Sequence, residues 1–330
     1  MLPAAVTDSI RLSLERAERI LVISHIGPDG DAIASLTATG LALTQLGKRF
    51  TLVCDDGLPE RFKYLPMSDR ISSTPQPDAV YDLIIALDAS DESRLGNAYA
   101  ALPPPQPAVI NIDHHITNTN YGAINLVQPE ATATVEVLFE LFVTLNLRLD
   151  ESMAICLLSG LVTDTLGFRT AGVSSRTLQI ASQLVEAGAN LYEVITKALT
   201  LMPMSTLLLW QKGLNNMRQE DGLLWTSISN GEREETGYQG SGSSGLGNMM
   251  ARVDQAPVSA VLVELSDGRV SVSFRCRPPY SVSELALSLG GGGHHLAAGC
   301  TVDGPLDKAV ALVISRSKDS IRRQRSSFSN

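Results

Sequence analysis

The chain has 330 residues, which is long enough for two hydrophobic cores, and its 44% hydrophobic and 18% charged residues are typical of a globular protein. Its net charge of −9 and its pI near 5.1 argue against a protein that coats long nucleic acid through counterion release. A short polyanion held locally is still compatible with this charge, because bound divalent cations reverse the sign of an acidic cluster.

The first half of the chain alternates between strand-like and helix-like segments. Short apolar runs rich in β-branched residues predict strands, and longer apolar stretches predict helices. Apolar strands that alternate with helices are typical of a parallel sheet covered on both faces, so this half predicts an α/β domain. In chain order the predicted elements are a strand at 20–24, a helix at 31–46, strands at 49–54, 83–87 and 108–112, and helices at 134–145 and 152–162.

Side chains that commonly bind metals follow three of these strands. His25 follows the first strand, Asp88 the third, and Asp113, His114 and His115 the fourth. Ligands of open α/β sheets bind outside the carboxyl ends of the strands. We therefore expect these five side chains to meet at one rim of the sheet.

The turn after the first strand adds two aspartates, Asp29 and Asp31, which can point at neighbouring positions and so serve two metals. Carboxylate and imidazole ligands without thiolate suit Mn²⁺, Fe²⁺, Co²⁺ or Mg²⁺ more than structural zinc. Two metals ~3.5–4 Å apart are the usual device for hydrolysing phosphate esters. Considered alone, the stretch Asp29-Gly30-Asp31 could be an ordinary turn without a function, and Asp88 could be a helix N-cap. Asp164, at a helix end where the dipole disfavours a carboxylate, strengthens the case for a joint role.

The second half of the chain has a different pattern, in which helices give way to strands and a smaller α+β domain is predicted. The predicted helices are 174–188, 191–199 and 205–217, and the strands are 222–229, 258–265 and 270–276. The Gly/Ser-rich stretch 237–247 is expected to be a mobile surface loop, and the arginine-containing tail a solvated, frayed end. The predicted boundaries are a first domain at 1–200, a helical linker at 201–221, a second domain at 222–322 and a tail at 323–330.

Four glycines at 290–293 follow an apolar helix predicted at 282–289 and precede His294. Successive N–H groups in such a run can form an anion-binding concavity. Arg275 ends a predicted strand and offers a bidentate fork for phosphate. We expect the glycine run and Arg275 to bind an anion, with Arg277 and His295 as secondary candidates.

These motifs together resemble a known family. The four motifs of the DHH phosphoesterase superfamily are matched, in order, by His25-x-x-x-Asp29-x-Asp31, Asp88, Asp113-His114-His115 and Asp164. In one branch of this superfamily a DHHA1 domain follows the DHH domain. Two segments of this chain resemble the DHHA1 domain, namely Ser273-Phe274-Arg275 and 290–299. The resemblance spans about 20–303, and the compact length is most similar to the stand-alone nanoRNase/pAp phosphatases. Ala34 and Gly27 depart from the family's usual glycine and asparagine, at positions that are not ligands.

The resemblance implies a role for each residue of the first domain. One metal would be held by His25 and Asp29, the second by Asp31, His114 and Asp164, and Asp88 would bridge the two. His115 would stay off the metals and stabilise the transition state or assist the leaving group, while Asp113 would orient this rim. In the second domain, the residues implied to grip the substrate across an interdomain cleft that holds the active site are Arg275, Gly291, Gly292, Gly293 and His294.

The resemblance also implies an activity. Two divalent cations are expected, with Mn²⁺ ahead of Mg²⁺ or Co²⁺. The expected substrates are short single-stranded oligoribonucleotides, cleaved to nucleoside monophosphates, and 3′-phosphoadenosine 5′-phosphate (pAp), converted to AMP and phosphate; long duplexes are not expected. One alternative is a linear or cyclic dinucleotide phosphodiesterase. Another is a non-catalytic nucleotide-binding regulator, which the complete ligand set disfavours.

The remaining sequence signals concern the compartment. The four cysteines are far apart and form no Cys-x-x-Cys pair, which is typical of apolar core positions in a reducing compartment. The first 20 residues lack the apolar stretch of a signal peptide, and no run reaches the ~18 apolar residues of a membrane span. We therefore predict a cytoplasmic protein without a membrane partner. A homodimer is one of the assemblies that the sequence leaves open.

Overall fold

The computed structural model describes residues 2–240 and 242–328. The chain folds into two compact units, with the boundary between Leu201 and Met202. Each unit contains one six-stranded sheet and its own buried apolar core. In the part of the chain that the structure describes, no helix is both long and apolar enough to cross a membrane.

The first unit is built on a fully parallel sheet, as the apolar strands predicted. Its strands are β1 (Arg19–Ser24), β2 (Arg49–Val53), β3 (Ile71–Ser72), β4 (Leu83–Leu87), β5 (Ala108–Asp113) and β6 (Ile124–Val127). Their order in the sheet is β3-β2-β1-β4-β5-β6, so the order reverses between β1 and β4. Open sheets bind ligands in the crevice at such a reversal, outside the carboxyl ends of the strands. His25 and Asp88 follow the two strands that flank it.

Helices pack around this sheet and position the rim. They are α1 (Ala4–Arg16), α2 (Gly30–Gln45), α3 (Gly96–Ala100), α4 (Thr134–Thr144), α5 (Glu151–Asp164), α6 (Ser175–Glu186) and α7 (Leu191–Ile195). Helix α1 and strand β6 were not predicted from the sequence. The single helix predicted at 191–199 is instead α7 followed by a π-helical turn at Thr196–Thr200.

The second unit contains a mixed sheet with helices, a smaller α+β fold. Its strands are β7 (Arg218–Glu220), β8 (Leu223–Ile228), β9 (Val258–Glu264), β10 (Val270–Cys276), β11 (Gly292–His294) and β12 (Ala297–Val302), in the order β11-β12-β10-β9-β8-β7. All neighbours are antiparallel except β8 and β9. Its helices are α8 (Met204–Asn215), α9 (Asn230–Glu235), α10 (Leu246–Met250), α11 (Ser283–Leu287) and α12 (Leu306–Phe328).

The structure differs from three expectations about the second half. The tail was expected to fray, but α12 continues through residue 328, and the Arg322 guanidinium lies 3.2 Å from Asp221 Oδ2. The stretch 237–247 is not wholly a surface loop, because Leu246 is buried in a core that also contains Leu209. Leu209 belongs to α8, so the helix predicted as a linker packs into the second unit.

Candidate metal centre

The start of α2 holds two of the predicted ligands in different environments. Asp29 caps the helix by accepting hydrogen bonds from the backbone N–H groups of Asp31 (3.0 Å) and Ala32 (3.1 Å), and about half of its side chain is exposed. Asp31 is fully buried and accepts hydrogen bonds from the N–H groups of Thr134 (2.6 Å) and Val135 (3.2 Å) at the start of α4. Helix ends therefore fix both carboxylates, since their N–H groups favour negative charge.

Two glycines allow α2 and α5 to pack closely enough to form this arrangement. A Cβ atom on Gly30 would lie 2.3 Å from the Thr163 side chain, and one on Gly160 would lie 2.7 Å from Asp31 Oδ1. A larger residue at either position would push α5 away from α2. Because Asp164 ends α5, the same packing sets its distance from Asp31.

The two imidazoles predicted as ligands are oriented in the same way. His25 Nδ1 lies 2.8 Å from the Ile26 carbonyl, and His114 Nδ1 lies 3.2 Å from the Ala131 carbonyl. A carbonyl oxygen only accepts, so each Nδ1 carries the hydrogen and each Nε2 is left for a ligand when the ring is neutral. Metal-binding histidines are commonly oriented by this kind of bond.

Asp88 lies between the two imidazoles. Its Oδ2 is 3.6 Å from His25 Nε2, whereas its Oδ1 is 3.8 Å from His114 Nε2. Thr134 Oγ1 donates a hydrogen bond of 2.8 Å to Oδ1 and fixes the carboxylate. The two oxygens of one carboxylate thus face two different histidines, which is the arrangement that a bridging ligand requires.

Among the described residues, ligand atoms gather in three overlapping sets, each with all its atoms within 4.8 Å of one another. Two of the sets are His25, Asp29 and Asp88, and Asp31, His114 and Asp164, and the third is Asp88, Asp113, His114 and His115. The first two sets have the composition that the family resemblance implied for two metals, with oxygen and imidazole nitrogen as the donors. Which ions bind, and in which set, stays a prediction.

Charge crowding at the centre fits a site for cations. Burial, together with the negative charge of Asp88, raises the pKa of Asp31 well above its ordinary value. The same two causes raise the pKa of Asp164 to about 8. Buried carboxylates in mutual contact are costly when ionised unless a cation compensates them. Divalent cations held by oxygen and imidazole would supply that compensation.

His115 forms its shortest side-chain contact with Asp113, although its Nδ1 also lies 3.7 Å from Asp88 Oδ1. Its Nδ1 lies 2.7 Å from Asp113 Oδ1, which also accepts from the backbone N–H groups of His114 (2.7 Å) and His115 (3.2 Å). The hydrogen bond to Asp113 raises the pKa of His115 to about 9. Although burial opposes it, the hydrogen bonds from His115 and Asn118 hold the pKa of Asp113 below its ordinary value. The pair is therefore an imidazolium facing a carboxylate.

In the second unit, Arg275 lies near the end of β10 with much of its hydrogen-bonding capacity directed at neutral groups. Its Nε donates to Asn248 Oδ1 (2.6 Å) and its Nη1 to the Phe274 carbonyl (2.8 Å). Burial lowers its pKa, and no carboxylate among the described residues forms an ion pair with it. Arg277, by contrast, is paired with Asp254 at 3.0 Å. Arg275 is thus the better placed of the two to bind an anion.

The glycine run has a structural role that its sequence did not reveal. A Cβ atom on Gly291 would lie 2.1 Å from the Gly299 carbonyl oxygen, and one on Gly293 would lie 2.6 Å from Ala298 Cα. Gly292 has open space around its Cβ position, and His294 is exposed. Gly291 and Gly293 therefore bring the backbone of the run close to β12. Substrate contact by the run stays a prediction.

Comparison with known proteins identifies the family. The model of the DHH family N-terminal domain matches residues 19–161, and that of the DHHA1 domain matches residues 232–319. A protein of Thermus thermophilus named bifunctional oligoribonuclease and PAP phosphatase NrnA is 33% identical over 307 residues, which are 92% of this chain and 90% of that protein. The chain belongs to the DHH family. The protein of the same name from Bacillus subtilis is 23% identical over 90% of the chain and 93% of its own length.

The DHH–DHHA1 fold is also seen in a solved structure. An exopolyphosphatase-related protein from Bacteroides fragilis superposes with a TM-score of 0.88 at 23% sequence identity, covering 100% of this chain and 99% of its own. The parallel sheet of the first domain and the smaller α+β second domain predicted from the sequence are thereby confirmed as the fold of this family member.

Two residues of this DHH centre were missed by sequence reasoning. Thr134 donates to Asp88 from a position 46 residues away in the chain. Asn118 Nδ2 donates to Asp113 Oδ2 (2.6 Å) and is itself linked to Asn111, which lies on β5. Asn118 lies only three residues after His115, so its nearness to the Asp-His-His motif was the one signal available for it.

The stability of the metal-free protein should fall as pH rises. The folded-state pKa values of Asp31 and Asp164 are raised, so their contribution is fully present below the unfolded carboxylate pKa and is lost as pH rises, for Asp164 through about 8. His115, raised to about 9, changes stability in the same direction. We expect a lower unfolding temperature at pH 8.5 than at pH 5.5 by calorimetry in a chelator.

Divalent cations should remove most of this slope, because they compete with protons for the same carboxylates. At 100 times its dissociation constant an ion stabilises the folded state by about 2.7 kcal/mol. We expect Mn²⁺ to raise the unfolding temperature more at pH 8.5 than at pH 5.5. The Asp164→Asn variant should show a smaller gain, and an identical gain would contradict the assignment of Asp164 to a metal.

A pair of glycine substitutions tests the role of the run in folding. Gly291→Ala would force a methyl group against the Gly299 carbonyl and should cost about 1–3 kcal/mol in the free energy of unfolding. Gly292→Ala, the adjacent control, has open space and should change it by less than about 0.5 kcal/mol. The two tryptophans, Trp210 and Trp225, both lie in the second unit, so their fluorescence in urea reports its unfolding. Equal stabilities would contradict the close approach to β12.

Proposed function

We propose that this protein is a two-metal phosphoesterase that hydrolyses short oligoribonucleotides to nucleoside monophosphates and pAp to AMP and phosphate. The observation that carries the proposal is Asp88, whose two carboxylate oxygens face the Nε2 atoms of His25 and His114. Two ligand sets that meet at a shared carboxylate are the framework of two-metal phosphoester hydrolysis. The names of the Thermus and Bacillus relatives support the substrates.

The chain's own residues have separable roles in this reaction. His25 and Asp29 would hold one cation, Asp31, His114 and Asp164 the other, and Asp88 both. Bound there, divalent cations supply Lewis-acid stabilisation of phosphoryl charge and a nucleophilic water at neutral pH. Mn²⁺ is proposed ahead of Mg²⁺ or Co²⁺ because the donors combine imidazole with carboxylate.

His115 would act on the substrate without binding a cation. Asp113 holds its Nδ1, so Nε2 is the nitrogen that can donate a hydrogen bond or a proton to the departing oxygen. In the metal-free protein the hydrogen bond to Asp113 raises the pKa of His115 to about 9, which favours a protonated ring. Such a positioned acid contributes typically ~10²–10⁴-fold to rate.

A substrate panel tests the proposed function. With Mn²⁺ present, we expect nucleoside monophosphates from dinucleotides and 5-mers, phosphate from pAp, and little product from a 24-mer or a long duplex. Cyclic dinucleotides and inorganic pyrophosphate complete the panel. Turnover of pyrophosphate or cyclic dinucleotides alone would overturn the proposal, as would the absence of any hydrolysis.

Arg275 is proposed to bind the nucleotide through its phosphate, together with the exposed His294 and the Gly291–Gly293 segment. We expect Arg275→Ala to raise KM for pAp by about 10- to 100-fold, the size of one charged hydrogen bond. An aryl phosphate ester without a nucleoside should lose less. Arg269→Ala is the charge-matched control, since Arg269 lies on the same hairpin but is exposed and paired with Asp267. Equal losses of turnover on both substrates would mean that Arg275 serves the chemical step.

A further inference from the structure

Arg94 lies in a short helical turn at Glu92–Leu95 that follows β4, one of the two strands at the reversal in strand order. Its backbone carbonyl accepts a hydrogen bond of 2.8 Å from the N–H of Ile26, the residue after His25. Asp91 caps the turn by accepting from the N–H of Ser93 at 3.0 Å. The backbone of Arg94 is thus tied to the end of β1 beside the proposed metal ligand.

The guanidinium group of Arg94 is short of acceptors in this position. Its Nε is buried and has no hydrogen-bond partner. Within the described residues, no carboxylate forms an ion pair with it, although the centre contains several. A buried arginine donor without a partner is costly, so an anion that binds this edge would be favoured.

The nearest polar atom does not satisfy the guanidinium. Arg94 Nη2 lies 3.1 Å from His25 Nδ1, but that nitrogen donates its hydrogen to the Ile26 carbonyl at 2.8 Å. Nδ1 carries a hydrogen whether the ring is neutral in this tautomer or protonated, so it cannot accept from Arg94. Two donors therefore face each other, and Nη2 needs an acceptor as Nε does.

Nε and Nη2 form one edge of the guanidinium plane, the two-donor fork that matches two oxygens of a phosphate. We infer that Arg94 binds the phosphoryl group of the substrate through this edge, beside the His25 end of the metal centre. The inference rests on the proposed function for the identity of the ligand, a nucleotide phosphate. Arg94 would be a second positively charged side chain that binds substrate phosphate, in addition to the one proposed at Arg275.

The test is the binding of AMP, a phosphate-bearing product, measured by calorimetry with Mn²⁺ present. Arg94→Ala should weaken AMP binding by about 10- to 100-fold, as expected for charged hydrogen bonds. It should leave Mn²⁺ binding in the absence of nucleotide within about twofold, because Arg94 is not one of the proposed metal ligands. Arg94→Lys keeps the charge but loses the fork, so it should recover only part of the affinity.

The control is Arg11→Ala, which removes the same charge from a partly exposed arginine of α1 in the same unit. Unchanged AMP binding in Arg94→Ala would overturn the inference, and so would a parallel loss of Mn²⁺ binding, because Arg94 would then only orient His25. If Arg94→Ala does not fold, full AMP affinity in Arg94→Lys would overturn it. Wild-type protein that binds AMP but hydrolyses nothing would overturn the proposed function alone, and wild-type protein that does not bind AMP would overturn the inference.

Discussion

Asp88→Asn is expected to lower turnover of pAp and dinucleotides by about 10³-fold or more, since the loss of a shared ligand removes several kcal/mol of charge stabilisation. The carboxylate is almost fully buried, and its two oxygens face His25 and His114. The amide of asparagine has nearly the same shape, but it carries no charge and has only one acceptor oxygen. Mn²⁺ titrations should show weakened binding at both sites rather than at one.

Asparagine is the right replacement because of the backbone at this position. Asp88 has φ of 59°, in the left-handed region that asparagine tolerates better than alanine. Asp78 provides the matched control, since it has the same φ of 59° but is exposed in a turn. Asp78→Asn should keep full activity and Mn²⁺ binding. Normal turnover of Asp88→Asn in saturating Mn²⁺ would refute the bridging role.

Much of this centre was predictable because a parallel sheet converts chain order into position. Each strand ends at the same edge, so polar residues that follow apolar runs must gather there, as His25 and Asp88 do. The pattern also predicted that Asp29 and Asp31 point at neighbouring positions, because they share the turn after β1. Their different burial was not predictable, since Asp31 is covered by α4, more than a hundred residues later.

The parts of the structure that the sequence did not reveal depend on contacts between segments that are distant in the chain, or on helices with only a narrow buried side. Thr134 and Gly160 look like ordinary helix residues until α4 and α5 are packed on Asp31. Helix α1 places only one side in the core, with Ile10 and Leu14 buried, and its polar remainder obscures that pattern. The glycine run suggested only a ligand-binding loop. Its contact with the Gly299 carbonyl could not be predicted, because the pairing of the strand that contains Gly299 could not be inferred from the sequence.

His115→Ala is expected to lower turnover of dinucleotides by about 10²–10⁴-fold while Mn²⁺ binding stays unchanged. The reason is that His115 Nδ1 forms a hydrogen bond of 2.7 Å with Asp113 Oδ1, which favours a role as a proton donor over a role as a metal ligand. Although Asp113 is fully buried, the hydrogen bonds from His115 and Asn118 keep it ionised, and its hydrogen bond raises the pKa of His115 to about 9. Loss of Mn²⁺ binding in His115→Ala would instead place His115 on a metal.

A change of leaving group separates proton donation from general electrostatic stabilisation. A ribose oxygen departs as a strong base and needs a proton, whereas a p-nitrophenol group departs unaided. His115→Ala should therefore lose less than about tenfold on a p-nitrophenyl ester of a nucleotide, since the acid contributes little there. Asp113→Asn should show the same selectivity because it removes the charge that keeps His115 protonated. An equal loss on both esters would mean that His115 stabilises phosphoryl charge without donating a proton, because that charge develops whatever group leaves.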